Sequence, residues 1–235
     1  MGFFQSSGIL NRRGFFGGTT AAPFSPSDIS GLQLWLDATT GLFDATSGGN
    51  AVTTDGSAVA RWEDQSGNGR HATQATLNNR PVLKTSIQNG KNVIHFDGSN
   101  DNLSLTSSIS TVGSFFLVFK QLSYKNYGVL LNASTNLGLH SGTNGNYQFP
   151  SDFMSNDKIN GQSITMPVFQ NATKYFNNIF EILDCDTTSW NFQRISVSNE
   201  SVNGQFAEII IYDTNISSSN KDLVRTYLNT KWSVY

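Results

Sequence analysis

Along most of this chain the apolar residues come in short groups, set apart by clusters of Gly, Asn, Ser, Thr and Asp. That rhythm predicts an all-β protein with many turns. Leu32, Leu34 and Leu36 alternate with Gln33 and Trp35, which predicts a strand packed on both faces. Val93-Ile94-His95-Phe96 runs into Asp97-Gly98, a strand entering a turn. Ser114 to Lys120 is almost continuously apolar and β-prone, and so reads as a central core strand. Ile179 to Leu183, Phe192 to Val197 and Phe206 to Tyr212 add three further strands. Between 133 and 176 the text thins into Asn/Gly-rich sequence that predicts loops and edge strands.

One helix is predicted, at the end of the chain. Ser217, Ser218 and Ser219 offer capping hydroxyls for the amides of a first turn. Leu223, Val224, Tyr227 and Leu228 form one apolar stripe behind them, and Lys231 sets a cation where a helix C-terminus favours it. The other end of the chain breaks the pattern. Residues 1–26 hold Gly2-Phe3-Phe4 and Gly14-Phe15-Phe16 among Gly, Ser, Thr and Pro, with neither a helical nor a strand period. Such a segment cannot bury enough surface to fold alone. Phe3, Phe4, Phe15 and Phe16 are therefore read as anchors that dock into a partner's groove, with folding back onto the body as the plainer alternative. The expected division is a flexible arm over 1–26 and one domain over 27–235.

At 235 residues the chain suits a single large β domain whose core needs neither disulfides nor metals to fold. Lys and Arg number 15 against 17 Asp and Glu, so no basic excess exists to neutralise phosphates, and nucleic acid is not expected as a partner. The one cysteine, Cys185, excludes an internal disulfide. No apolar run approaches the roughly 20 residues of a membrane helix, so no membrane partner is expected. The first residues lack the basic-then-apolar order of a secretory signal, which implies synthesis in the cytoplasm of the producing cell.

Three stretches carry a family resemblance. They are Ile29-Ser30-Gly31-Leu32-Gln33-Leu34-Trp35-Leu36-Asp37, then Trp62-Glu63-Asp64-Gln65-Ser66-Gly67-Asn68-Gly69-Arg70-His71-Ala72 followed by Pro81 and Val93 to Asp101, and last Gly204 to Asp213 with the terminal helix. In order and spacing they resemble the concanavalin A-like, laminin-G-like lectin superfamily over residues 27–235. The resemblance implies a jelly-roll sandwich of two antiparallel sheets. Members occur as sugar-binding modules, as modules of secreted enzymes and in structural proteins of tailed phages. Gly8 to Gly18 is also similar to the arms that open phage virion proteins. Together these imply a virion component (a capsid decoration, head fibre or tail-associated protein), made in the host cytoplasm and working as a homo-oligomer among other virion proteins. The alternative is a carbohydrate-binding module, and host-surface glycan is a candidate ligand under either reading.

The candidate chemistry is sparse. Glycoside hydrolysis needs two carboxylates roughly 5–10 Å apart. Catalytic members of the superfamily carry Glu-x-Asp-x-x-Glu on one strand, whereas Glu181 and Asp184 are three apart and belong on opposite faces of a strand. His71, His95 and His140 lie in unrelated segments, no Gly-x-Ser-x-Gly elbow is present, and Cys185 sits between two aspartates that would raise a thiol pKa. The chain is accordingly expected not to be an enzyme. Calcium is the one cofactor left open. Asp64, Ser66 and Asn68 reproduce the start of an oxygen-ligand loop, although Ala75 stands where an EF-hand needs its bidentate Glu. Asp97 to Asp101 is a second oxygen-rich turn, and for both the plainer reading is a turn whose side chains satisfy local amides. Trp190, Tyr124, Tyr127 and Tyr147 are the aromatic candidates for stacking on sugars, while Trp35 and Trp62 are expected in the core.

Overall fold

The computed structural model describes residues 22–123, 129–132, 139–141, 147–148, 158–163, 178–197 and 200–235. Strands β1 (Leu32–Asp37), β2 (Leu42–Phe43), β3 (Arg61–Trp62) and β4 (Ala72–Thr73) lead into the hairpin of β5 (Val82–Gln88) and β6 (Lys91–Asp97). The long β7 (Leu103–Ser123) comes next, then the short β8 (Val129–Asn132), β9 (Leu139–Ser141), β10 (Tyr147–Gln148), β11 (Lys158–Ile159) and β12 (Gln162–Ser163). Two further long strands, β13 (Glu181–Ile195) and β14 (Asn203–Tyr212), precede the helix α1 (Ser218–Trp232). Hydrogen bonds join the strands in the order β10-β9-β8-β13-β7-β14-β6-β5, with β1 beside β14 and β4 beside β7. The long ladders are antiparallel.

The apolar run at the middle of the chain is central, as its composition predicts. β7 is paired at both edges, by β13 on one side and β14 on the other, and its alternate residues divide between two cores, one on each face. Phe115, Leu117 and Phe119 point into the first core, which also holds Leu34, Leu36, Trp62, Phe96, Leu103, Phe192 and Ile209. Phe116 and Val118 point the other way, joining Ile182, Ile210 and Tyr212 beneath Val224, Leu228 and Trp232 of α1. The first core is the interior of a sandwich-like all-β fold, and the second is the seat of the helix. Each of Val224, Leu228 and Trp232 is fully buried, worth about 1.5–3 kcal/mol of apolar transfer per side chain.

Several elements depart from the sequence-based expectation. β7 extends to 21 residues and β13 to 15, where the apolar pattern predicts Ser114 to Lys120 and two separate shorter strands. The exposed Thr106, Ser107, Ser108, Ser110 and Thr111 also belong to β7. Irregular register between Asp186 and Trp190, and again on to Phe192 and Arg194, lets β13 follow β7 through its bend. Gly113 lies at that bend. A Cβ there would stand 2.1 Å from the backbone carbonyl carbon of Thr214, so only glycine lets β7 pass.

The helix also turns a different face inward. Lys221, Val224, Arg225, Leu228 and Trp232 are its buried residues, while Leu223, counted in the apolar stripe, is 48% exposed. The stripe is displaced because carboxylates on the sheet draw Lys221 and Arg225 underneath. Ser217 caps the first turn as its hydroxyl predicts, accepting from Asn220 N at 3.2 Å.

In β14, Phe206 pairs with Phe119 and Glu208 with Val118, leaving Ala207 as an extra residue between them. This bulge turns Ala207 and Glu208 to the same, helix-facing side, and Ala207 O accepts from Ala38 N at 2.9 Å. At the start of the described chain, Ser25 caps the single turn Pro26–Asp28, Tyr212 OH donates to Pro26 O at 2.9 Å, and the Phe24 ring lies 6.0 Å from that of Tyr227. Phe24 to Pro26, which the sequence places in the arm, thus pack on the body. Phe3, Phe4, Phe15 and Phe16 lie outside the described residues.

Candidate functional site

The densest polar constellation among the described residues lies between the sheet and α1. Strand alternation brings four carboxylates to the helix-facing side: Asp37 on β1, Asp184 and Asp186 on β13, and Glu208 on β14. The helix answers with Lys221 and Arg225, one turn apart, and with Lys231 in its last turn. Lys221 pairs with Asp186, whose other oxygen accepts from Ser114 Oγ at 2.6 Å. Arg225 donates to Asp184 Oδ2 at 2.6 Å and also holds the exposed Asp222. Burial pushes the Asp184 carboxyl above its ordinary range, and the Arg225 charge opposes that rise.

Glu208 is fully buried and saturated with donors. Trp35 Nε1 and Tyr227 OH donate to its Oε1 at 2.7 and 2.8 Å, while Trp232 Nε1 and Lys231 Nζ donate to its Oε2 at 2.6 and 2.8 Å. Lys231 Nζ also lies 2.5 Å from Asp37 Oδ2 and 3.1 Å from Tyr227 OH. Burial raises the Glu208 carboxyl pKa, the nearby Asp37 charge adds to the rise, and Lys231 counters it. On Asp37, the remaining oxygen Oδ1 accepts from Thr39 N at 2.9 Å and Thr39 Oγ1 at 2.7 Å.

Two polar cavities open onto this layer. One of about 400 Å³ is lined by Lys158, Ser163, Asp186, Ser217, Lys221 and Arg225, among others. A shallower one of about 420 Å³, at the other end of α1, is lined by Thr39, Gly90, Lys91, Asn92 and Lys231. Sequence reading did not single out this layer. The available signals were the alternation Asp184-Cys185-Asp186, an acid at 208 inside an apolar strand, and basic residues four apart at 221 and 225.

The residues that the sequence did single out fall elsewhere. Asp64, Ser66 and Asn68 come together in one turn. Asp64 Oδ1 accepts from Trp35 N and Ser66 N, and Oδ2 accepts from Ser66 Oγ and Arg70 N, all at 2.8–3.0 Å. Asn68 Nδ2 donates to Leu32 O at 2.9 Å, tying the turn to β1. A cation would have to displace these donors from the carboxylate. Among the described residues no group of three or more His, Cys, Asp or Glu side chains could hold a metal ion. In the second turn, Asp101 accepts from Asp97 N at 2.9 Å, and burial beside the Asp97 carboxylate pushes its pKa up to about 7.

Glu181 and Asp184 do lie on opposite faces. Glu181 pairs in register with the inward Phe119, and Asp184 with the outward Phe116. Burial alone pushes the Glu181 pKa up to about 8. His71 Nδ1 accepts from Asp64 N at 3.1 Å, and His95 is held below its ordinary pKa, chiefly by burial. Cys185 is buried in the inner core. Trp190 cannot stack on a sugar: it is 2% exposed, packed 5.4 Å from Phe115 and 5.7 Å from Phe192 by ring centroids. Tyr124, Tyr127 and the side chains of Tyr147 and His140 lie outside the described residues.

Comparison with protein-family models, with curated proteins and with solved structures finds no match in any of the three.

Proposed function

We propose that this chain is a non-catalytic structural component of a tailed-phage virion, a β-sandwich body attached to other virion proteins by its leading segment and present there as a homo-oligomer. One observation supports it above others. The described apolar clusters, an inner one within the sheet and an outer one beneath α1, are built from residues Ile29 onward, as a body attached through a separate leading segment requires. Phe3, Phe4, Phe15 and Phe16 are the residues proposed to enter a partner's groove, where a segment can order as it binds. The resemblance of Gly8 to Gly18 to virion arms, and of the body to a lectin-like sandwich, supplies the class of partner.

Removing residues 1–21 is the direct test. The truncated chain should keep the cooperative melt of the full chain and fail to join particles in an assembly reaction. Normal incorporation of the truncated chain would overturn the anchoring role. The rival reading, a carbohydrate-binding module, loses one candidate in the burial of Trp190. Binding of the truncated body to a glycan panel would restore that reading.

A further inference from the structure

The group around Lys231 has the parts of a reaction as well as of an ion pair. A primary amine touches both a carboxyl to be attacked and a second carboxyl to carry a proton, and donors hold the oxygen of the first that would gain charge. Lys231 Nζ is 2.5 Å from Asp37 Oδ2, one bond away from the carboxyl carbon. Thr39 N and Thr39 Oγ1 both donate to Asp37 Oδ1, where negative charge develops when a nucleophile adds to that carbon. Glu208 Oε2 touches the same Nζ at 2.8 Å, and its position is fixed by Trp35, Tyr227 and Trp232. The side chains of Asp37 and Lys231 are 8% and 15% exposed and that of Glu208 is wholly buried.

The geometry points to a covalent amide between Lys231 Nζ and Asp37 Cγ, formed within the folded chain, with Glu208 as the proton carrier. Transfer of a proton from the ammonium to the Asp37 carboxylate turns the pair into an amine and a carboxylic acid. The amine lone pair attacks Asp37 Cγ, and Glu208 takes a proton from Nζ. Glu208 then returns that proton to the departing hydroxyl, the C–OH bond breaks, and one water leaves for each C–N bond made. No oxidant, metal or further reactant is needed. Lys231 borders the shallow cavity lined by Thr39, Gly90, Lys91 and Asn92, which gives the water an exit. Proximity of this kind is worth a large rate gain over the same groups free in solution. Lys221 lacks the arrangement, since among the described residues it pairs with Asp186 alone. The link would join the first long strand to the last turn of the chain, and it is independent of whether the protein belongs to a virion.

Intact mass of the purified, cooperatively melting full chain, taken under denaturing conditions, tests this. The wild type should weigh one water less than its sequence, and Lys231→Arg, which keeps the charge opposite Asp37, should have its full sequence mass. Protease digestion of the wild type should yield a branched peptide containing both Asp37 and Lys231, with no cleavage after Lys231. Glu208→Gln, if it folds, should accumulate the unlinked mass. Full mass in the wild type would overturn the proposal. A water loss that maps to Asp55-Gly56 or Asp97-Gly98, where a succinimide forms by dehydration, would overturn it equally.

Discussion

Arg225 shows how far a single side chain commits this fold. Its guanidinium is buried against Asp184, a carboxylate 1% exposed, and Asp184 Oδ1 has no hydrogen-bond partner among the described residues. Replacing Arg225 by Met would leave that carboxylate buried without its cation, and a loss of about 3–5 kcal/mol is expected by urea denaturation. The double change Asp184→Leu with Arg225→Met should recover most of it, because an apolar pair of similar volume carries no desolvation cost. Glu181 gives the complementary prediction. Its carboxyl titrates at about 8 in the fold against about 4.5 in the open chain, so the folded state holds the proton more tightly. Stability from this group is therefore full below pH 4.5 and is lost as pH rises towards 8. Glu181→Gln should match the wild type at pH 4 and exceed it by roughly 1–3 kcal/mol at pH 9, read from paired thermal or urea melts. An equal difference at both pH values would show that the buried carboxyl is not the cause.

At the scale of elements, strand identity was legible and strand length was not. Alternation at Leu32 to Leu36 and the continuous run Ser114 to Lys120 are reproduced as β1 and the centre of β7. Hydrophobicity reports burial, however, and a ladder can continue where one face is wet. Thr106, Ser107 and Ser108 are exposed yet remain in β7. The same blindness affected the helix. The stripe through Leu223 was drawn from apolar residues alone, whereas the buried face is partly ionic because the sheet beneath it is. A pattern method sees only one of two partners that are far apart in sequence, and Asp184 and Arg225 are 41 residues apart. Gly113 is the element-scale constraint most open to test. Gly113→Ala would push a methyl into the Thr214 backbone, which cannot retreat as a flexible side chain could. We expect a loss of about 3 kcal/mol or more, since the backbone at the β7 bend must move. A near-neutral result in a urea titration would mean the two segments are not in contact.

For the whole molecule, the sequence conveyed the β class and the terminal helix. It did not convey the layer of charge that joins helix to sheet, because that layer exists only once β1, β13, β14 and α1 are assembled. The oxygen-rich turn at Asp64, conspicuous in sequence, is occupied with its own backbone amides and with β1. Conspicuous text and conspicuous chemistry thus lie in different places. The truncated chain proposed above should preserve the thermal midpoint of the full chain if the body is self-sufficient at this scale.

The docking of Phe24 on Tyr227 and of Pro26 beneath Tyr212 has an orientational consequence. The described chain therefore begins beside α1. Under the proposed attachment through the leading segment, the body would be held by its helical flank, with β2, β3 and β4 away from it. A label placed at the exposed Leu77 should consequently stay accessible when the protein is mounted, while one at the exposed Leu223 is nearer the point of suspension.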